Sequence, residues 1–143
     1  MKKTFPAKIS YALLVFVSLA FAAPLYAVFR QGRVDAGNGF HLIFLLLVYA
    51  FVLHLLFGTT YTIEGNMLKI KTGFIRFPDI PIDEIVEIRK TNTLLSAPAP
   101  SFDRILIKDA KGNPVIISPR EKKSFIQSLK SINPAIKVEE ALL

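Results

Sequence analysis

One stretch of the chain, reading SAPAPSFDRI, gathers side chains that could do chemistry: Ser96, Ser101, Asp103 and Arg104. Two hydroxyls, a carboxylate and a guanidinium on an irregular segment could form a recognition or ligand loop, because such segments on rigid scaffolds often carry function. The same residues also close local turns. Asp103 can accept backbone N–H groups and Arg104 can pair with an acid across a sheet, and serine- and aspartate-rich composition favours that structural role. A serine-hydrolase triad needs a histidine beside the serine, and the two histidines, His41 and His54, both lie in apolar stretches. They are 13 residues apart, about 20 Å along a helix, too far to share one metal. Placed near the ends of apolar spans, they read as interfacial anchors. The chain has no cysteine, hence no disulfide, iron–sulfur site or thiol nucleophile. No glycine-rich phosphate loop, zinc-ligand spacing or paired-carboxylate site is legible, so the expectation is a non-enzyme with no catalytic residue, metal or cofactor.

A second set is basic. Lys69, Lys71, Arg76, Arg120, Lys122 and Lys123 could face anionic lipid headgroups if the region is tethered beside a membrane. A solvated basic surface is the plain alternative, since net charge alone does not identify a partner. The isoelectric point near 9.8 and net charge of +7 suggest nucleic acid at first sight. After Thr59, however, 13 lysines and arginines face ten acids. The remaining excess flanks apolar runs, where it orients a membrane segment, so nucleic acid is not expected as a partner.

Those runs are the elements that must position everything else. Of the 143 residues, 52% are hydrophobic, but unevenly: residues 1–58 hold 39 apolar residues and residues 59–143 hold 35. The second figure is ordinary for a water-soluble domain. The first marks a membrane segment. Ile9 to Phe29 is uncharged for 21 residues and Phe40 to Phe57 for 18, about 30 Å and 27 Å as helices, which is enough to span a bilayer. The ten residues Arg30 to Gly39, three of them glycine, leave room only for an antiparallel hairpin. Pro24 should kink the first helix. Lys2, Lys3, Lys8, Lys69, Lys71 and Arg76 on one side outnumber Arg30 and Arg33 on the other, which places both termini in the cytoplasm. The start also resembles a signal peptide with cleavage at Ala20-Phe21-Ala22, but the apolar run continues past that point and favours an uncleaved span.

From Thr59 the pattern alternates. Thr60 to Glu64 and Met67 to Thr72 read as a hairpin closed by Gly65-Asn66. Phe77 to Ile82 carries Pro78 and Pro81 and can be only an edge or broken strand, one that could accept a partner's strand. Ile85 to Thr91, Arg104 to Lys108 and Pro114 to Ile117 follow as strands, with Leu94 to Phe102 as an extended loop. Ser118-Pro119-Arg120-Glu121 reads as a capping box opening a helix to about Ser131, with Phe125, Leu129 and Ile132 as its apolar stripe and Asn133-Pro134 as its stop. About six short antiparallel strands followed by one amphipathic helix describe an α+β fold, a split β-barrel plugged at one end by the helix, which is the pleckstrin-homology (PH) architecture. The expected division is a transmembrane hairpin over 1–58, with spans 9–29 and 40–57, and a cytoplasmic PH-like domain over 59–143.

The strings YTIEGNMLKIKTGFIRFPDIPIDEIVEI, TNTLLSAPAPSFDRILI and VIISPREKKSFIQSLKSINPAI resemble the bacterial PH-like domain family of YyaB type, small membrane-anchored proteins. The resemblance covers about half of the chain, from Tyr61 to Ile136, and implies the split barrel with its C-terminal helix but no activity. Three functions then compete. The first is a non-enzymatic module at the cytoplasmic face of a bacterial membrane that docks a protein partner or self-associates. The second is a binder of anionic lipid headgroups. The third, a catalytic domain, lacks visible parts.

Overall fold

A computed structural model describes residues 2–32, 35–93 and 99–143. Ser96 and Arg33, both singled out above, lie outside the described residues. The chain begins with strand β1 (Lys2–Pro6), then two long helices, α1 (Tyr11–Arg30) and α2 (Ala36–Phe57). Strands β2 (Thr59–Glu64), β3 (Met67–Thr72), β4 (Ile75–Arg76) and β5 (Ile80–Pro81) follow, then a 3-10 turn (Ile82–Glu84). The rest is β6 (Ile85–Thr91), β7 (Arg104–Asp109), β8 (Pro114–Ile117), α3 (Lys122–Ile132), β9 (Lys137–Val138) and a closing 3-10 turn (Glu140–Leu142).

Both α1 and α2 are long and apolar enough to cross a membrane, and neither buries a residue within the molecule. Their faces carry exposed Phe16, Leu19, Phe44 and Leu47, which water would penalise and lipid accepts. The helices touch through the Phe21 and Tyr49 rings, 5.1 Å apart, and a 2.8 Å hydrogen bond between the Ser18 and Tyr49 hydroxyls. Asp35 caps α2 by accepting from the Asn38 N–H, and α1 runs through Pro24 as one helix.

The soluble part is two sheets facing one core, and the barrel is not closed. One sheet runs β1-β2-β3-β4, with β5 also paired to β3; the other runs β8-β7-β6-β9. All pairings are antiparallel except β6 with β9. Alternation directs Tyr61, Ile63, Leu68 and Ile70 inward from the first sheet and Ile88, Ile105 and Ile107 from the second. Helix α3 covers the core with Phe125, Ile126 and Leu129, all 2% exposed or less. The Asn133 amide then ties the helix end to Ile82 and Ile85 by donating to their carbonyls at 2.9 and 3.2 Å. This is the α+β, PH-like arrangement that the strand-then-helix order implies.

Four expectations change. The described residues hold nine strands, not about six, because β1, the short β4 ahead of the proline-broken segment, and β9 were not anticipated, while that segment keeps only β5. The division at residue 58 needs an addition at the N-terminus. Residues Lys2–Pro6 are laid along β2, with Phe5 opposite Tyr61, and Phe5 is buried edge-on against Phe125 at 5.3 Å. The capping box does not form. β1 continues into a bridge between Ala7 and Pro119, with Lys8 N–H on the Ser118 carbonyl (2.7 Å) and Arg120 N–H on the Pro6 carbonyl (3.0 Å). That extended pairing holds residues 118–120 out of the helix, which starts at Lys122 with no side-chain cap. The apolar face of α3 includes Ile126, whereas Ile132 is 39% exposed.

Candidate functional site

The SAPAPSFDRI residues that the structure describes turn inward or onto their own chain. Arg104 is buried, and its guanidinium donates to the carbonyls of Ser101 (2.6 Å), Thr93 (2.9 Å) and Ala99 (3.1 Å). It clasps both ends of the loop between β6 and β7 through carbonyl oxygens, where the sequence suggested an acid across the sheet. Ser101 is buried and its hydroxyl accepts the Asp103 N–H at 3.2 Å, a local turn. Asp103 lies between two lysines, Lys8 at 2.9 Å and Lys122 closer still. Burial pushes this carboxyl up, but hydrogen bonds from Lys122 and Lys8 outweigh that and hold it below the usual aspartate range. Asp103 therefore joins three elements: the lead-in to α1, the start of β7 and the first turn of α3.

The basic set separates into two groups. Arg120, Lys122 and Lys123 sit at the start of α3, where Lys122 is committed to Asp103. Lys69, Lys71 and Arg76 lie on the outer side of the first sheet, around an open groove of about 280 Å³ that Thr60, Thr62 and Asp79 also line. Lys69 is paired with Glu64 at 2.9 Å, and that hydrogen bond holds the Glu64 carboxyl below its ordinary range. Lys71 and Arg76 face each other directly across β3 and β4. Among the described residues neither has an ion pair.

The joint between the helices and the sheets has no signature in the sequence. The Ala7 N–H donates to the Thr59 carbonyl at 3.0 Å, and the Ser10 N–H to that of Pro100 at 3.2 Å. The lead-in to α1 is thereby clipped to the first residue of β2. On the other flank the turn between β3 and β4 presses on the end of α2. The Gly73 N–H donates to the Gly58 carbonyl at 3.1 Å, and the Phe74 ring stacks on His54 at 4.4 Å. Gly73 has φ +57, and a β-carbon there would come within 2.8 Å of Leu55 and 3.1 Å of His54. At Gly58 a β-carbon would meet the His54 carbonyl at 2.7 Å and Gly73 at 2.9 Å. Two glycines fifteen residues apart thus form one contact. Their separation carries no motif: backbone crowding at Gly58, and the left-handed φ with side-chain crowding at Gly73, are why both are glycine. His54 is thus an aromatic platform for Phe74, while His41 bonds the Gly37 carbonyl through Nδ1 at 2.7 Å within its own helix. No group of three or more metal-ligating side chains occurs among the described residues.

Arranged this way, Phe74 lies exposed against the end of α2, and Lys71 and Arg76 face each other on the neighbouring strands. A family model described as the bacterial PH domain matches residues 59–133, just over half of the chain. The chain belongs to the bacterial PH domain family. No curated protein and no solved structure matches it. The matched region starts at Thr59, so β1, which completes the first sheet of this PH domain, lies outside it. Strand β9, on the opposite sheet, also lies outside the match.

Proposed function

We propose that this chain is a non-enzymatic PH module anchored in a bacterial cytoplasmic membrane by the α1–α2 hairpin, with both termini and the PH domain on the cytoplasmic side. The observation that carries this reading is the clip between Ala7 and Thr59 beside the β1–β2 pairing. It brings both ends of the hairpin to one face of the domain, so the residues before α1 and after α2 share one side of the bilayer. The lysine and arginine excess makes that side cytoplasmic. Phe5 in the core is a reason for the first span to remain uncleaved, because cleavage at Ala20–Ala22 would sever the tether of β1.

A domain held this way acts by binding, and tethering raises the effective concentration of membrane neighbours. The reading is a docking module for a protein partner or for a second copy. The segment Phe77 to Ile82 contributes less to docking than its sequence suggested: its one short strand, β5, is already paired to β3, and Pro78 and Pro81 have no N–H to offer an added strand. A second reading, contact with anionic headgroups, is favoured by the mutually facing Lys71 and Arg76, neither in an ion pair among the described residues.

The chain has no cysteine, so single cysteines report topology cleanly. Gln31→Cys should react with a membrane-impermeant maleimide in intact cells, and Lys123→Cys only after permeabilisation. The reverse pattern would place the domain outside and overturn the reading. Crosslinking from Lys123→Cys in native membranes should recover a protein neighbour or a dimer; recovery of lipid alone leaves only the headgroup reading.

A further inference from the structure

We propose that the turn between β3 and β4 is an interfacial wedge that takes anionic phospholipid headgroups, with Phe74 and Ile75 entering the acyl boundary and Lys71 and Arg76 holding the phosphate. The proposal rests on the headgroup reading above and assigns it to one place.

Position is the first argument. The turn lies against the last turn of α2 through Gly58–Gly73 and His54–Phe74. The end of a span lies at headgroup depth, where aromatic rings collect. Register gives the scale: Thr59 faces Thr72 at the helix end of the β2–β3 pair, and Glu64 faces Met67 at the other. Five residues of strand, about 17 Å, therefore separate the helix joint from the Gly65-Asn66 turn. Lys71, opposite Thr60, is one step from the joint, and Arg76 is opposite Lys71.

Chemistry is the second. Phe74 is 78% exposed and Ile75 50%, at the tip of a short turn. Neighbouring large apolar side chains left in water mark an interaction surface, and here the surface is continuous with a membrane span. Like charges directly opposite on adjacent strands repel. A phosphodiester between Lys71 and Arg76 converts that repulsion into two charge-assisted contacts, an ammonium and a planar guanidinium fork. The Thr60 side chain lines the same groove. Glu64 and Asp79 line it too; Glu64 belongs to the end away from the joint and is taken up by Lys69.

The full chain contains no tryptophan, so one introduced indole reports its own depth. Phe74→Trp is reconstituted in phosphatidylcholine vesicles containing brominated phosphatidylglycerol or brominated phosphatidylcholine at equal fraction. Leu46→Trp in mid-span and Val86→Trp, 45% exposed on the second sheet, are the references. Both brominated lipids should quench Phe74→Trp, the glycerol lipid more strongly, and neither should quench Val86→Trp. Lys71→Gln with Arg76→Gln should abolish that preference, each charge contributing about fivefold in local enrichment. Phe74→Trp as unquenched as Val86→Trp, with Leu46→Trp quenched, overturns the wedge and leaves the anchor standing. A preference that survives removal of both charges overturns the headgroup site. Leu46→Trp left unquenched overturns the anchor and the wedge together.

Discussion

The first sheet has two hairpin turns with similar backbone geometry and opposite surroundings. Gly65 and Gly73 have φ +59 and +57. A β-carbon on Gly65 would meet nothing within 4 Å, whereas one on Gly73 would strike Leu55 and His54. Beside Gly65 the exposed Glu64 pairs with Lys69. Beyond Gly73 come Phe74, Ile75 and Arg76, which has no ion pair among the described residues. The same local bend thus serves once as a free hairpin end and once as a joint against α2. The difference teaches that turn chemistry fixes the bend, while the neighbouring element fixes what the bend is for.

Breaking the joint end should cost most. Phe5→Ala removes the aromatic that closes β1 over α3 and should lower stability by about 3–5 kcal/mol, read from melting of the PH domain in micelles. Loss of far less would mean that β1 is not held by its core contact. Next, Gly73→Ala combines left-handed strain with overpacking against α2, about 2–4 kcal/mol in total. Gly65→Ala carries only the strain, about 1–2 kcal/mol. Equal losses would erase the contrast between the two turns.

Asp103 gives a smaller effect with a pH signature. Its folded carboxyl titrates below the ordinary value, so the Lys8–Asp103–Lys122 contact is present above about pH 4 and is lost as pH falls through the lower folded value. Asp103→Asn should therefore lower stability at neutral pH by about 1 kcal/mol after solvent screening. The variant and native melting curves should converge in acid. Smallest of all, Glu64→Gln at the solvated turn breaks one exposed ion pair and should leave the melting temperature unchanged. A clear drop would show that the far end is a built structure like the joint.

Much of the fold was legible because its signals are local. Met67–Thr72, Ile85–Thr91 and the fully apolar Pro114–Ile117 are strands with the bounds expected of them, and the two apolar runs are helices within a few residues of their expected ends. β1 was not legible: Lys2 and Lys3 before an apolar run read as a charged flank, and one buried residue, Phe5, is too little for a periodic signal. The capping box failed for a related reason. Ser118 to Arg120 is a good helix start in isolation, yet β1 takes its backbone first. The loop residues were legible as a cluster, but their direction was not, since a guanidinium is equally able to bind carbonyls inside or a ligand outside.

By itself the sequence determined that the chain has two membrane-length helices, a small α+β domain and a charge excess flanking the apolar runs, because hydropathy, alternation and charge counts act residue by residue. Only the tertiary structure decided that the N-terminal tail belongs to the sheet, that Arg104 faces inward and that Phe74 meets the end of α2. Those facts depend on which distant segments pack together, and packing is settled by shape and opposed backbones, which no local pattern encodes.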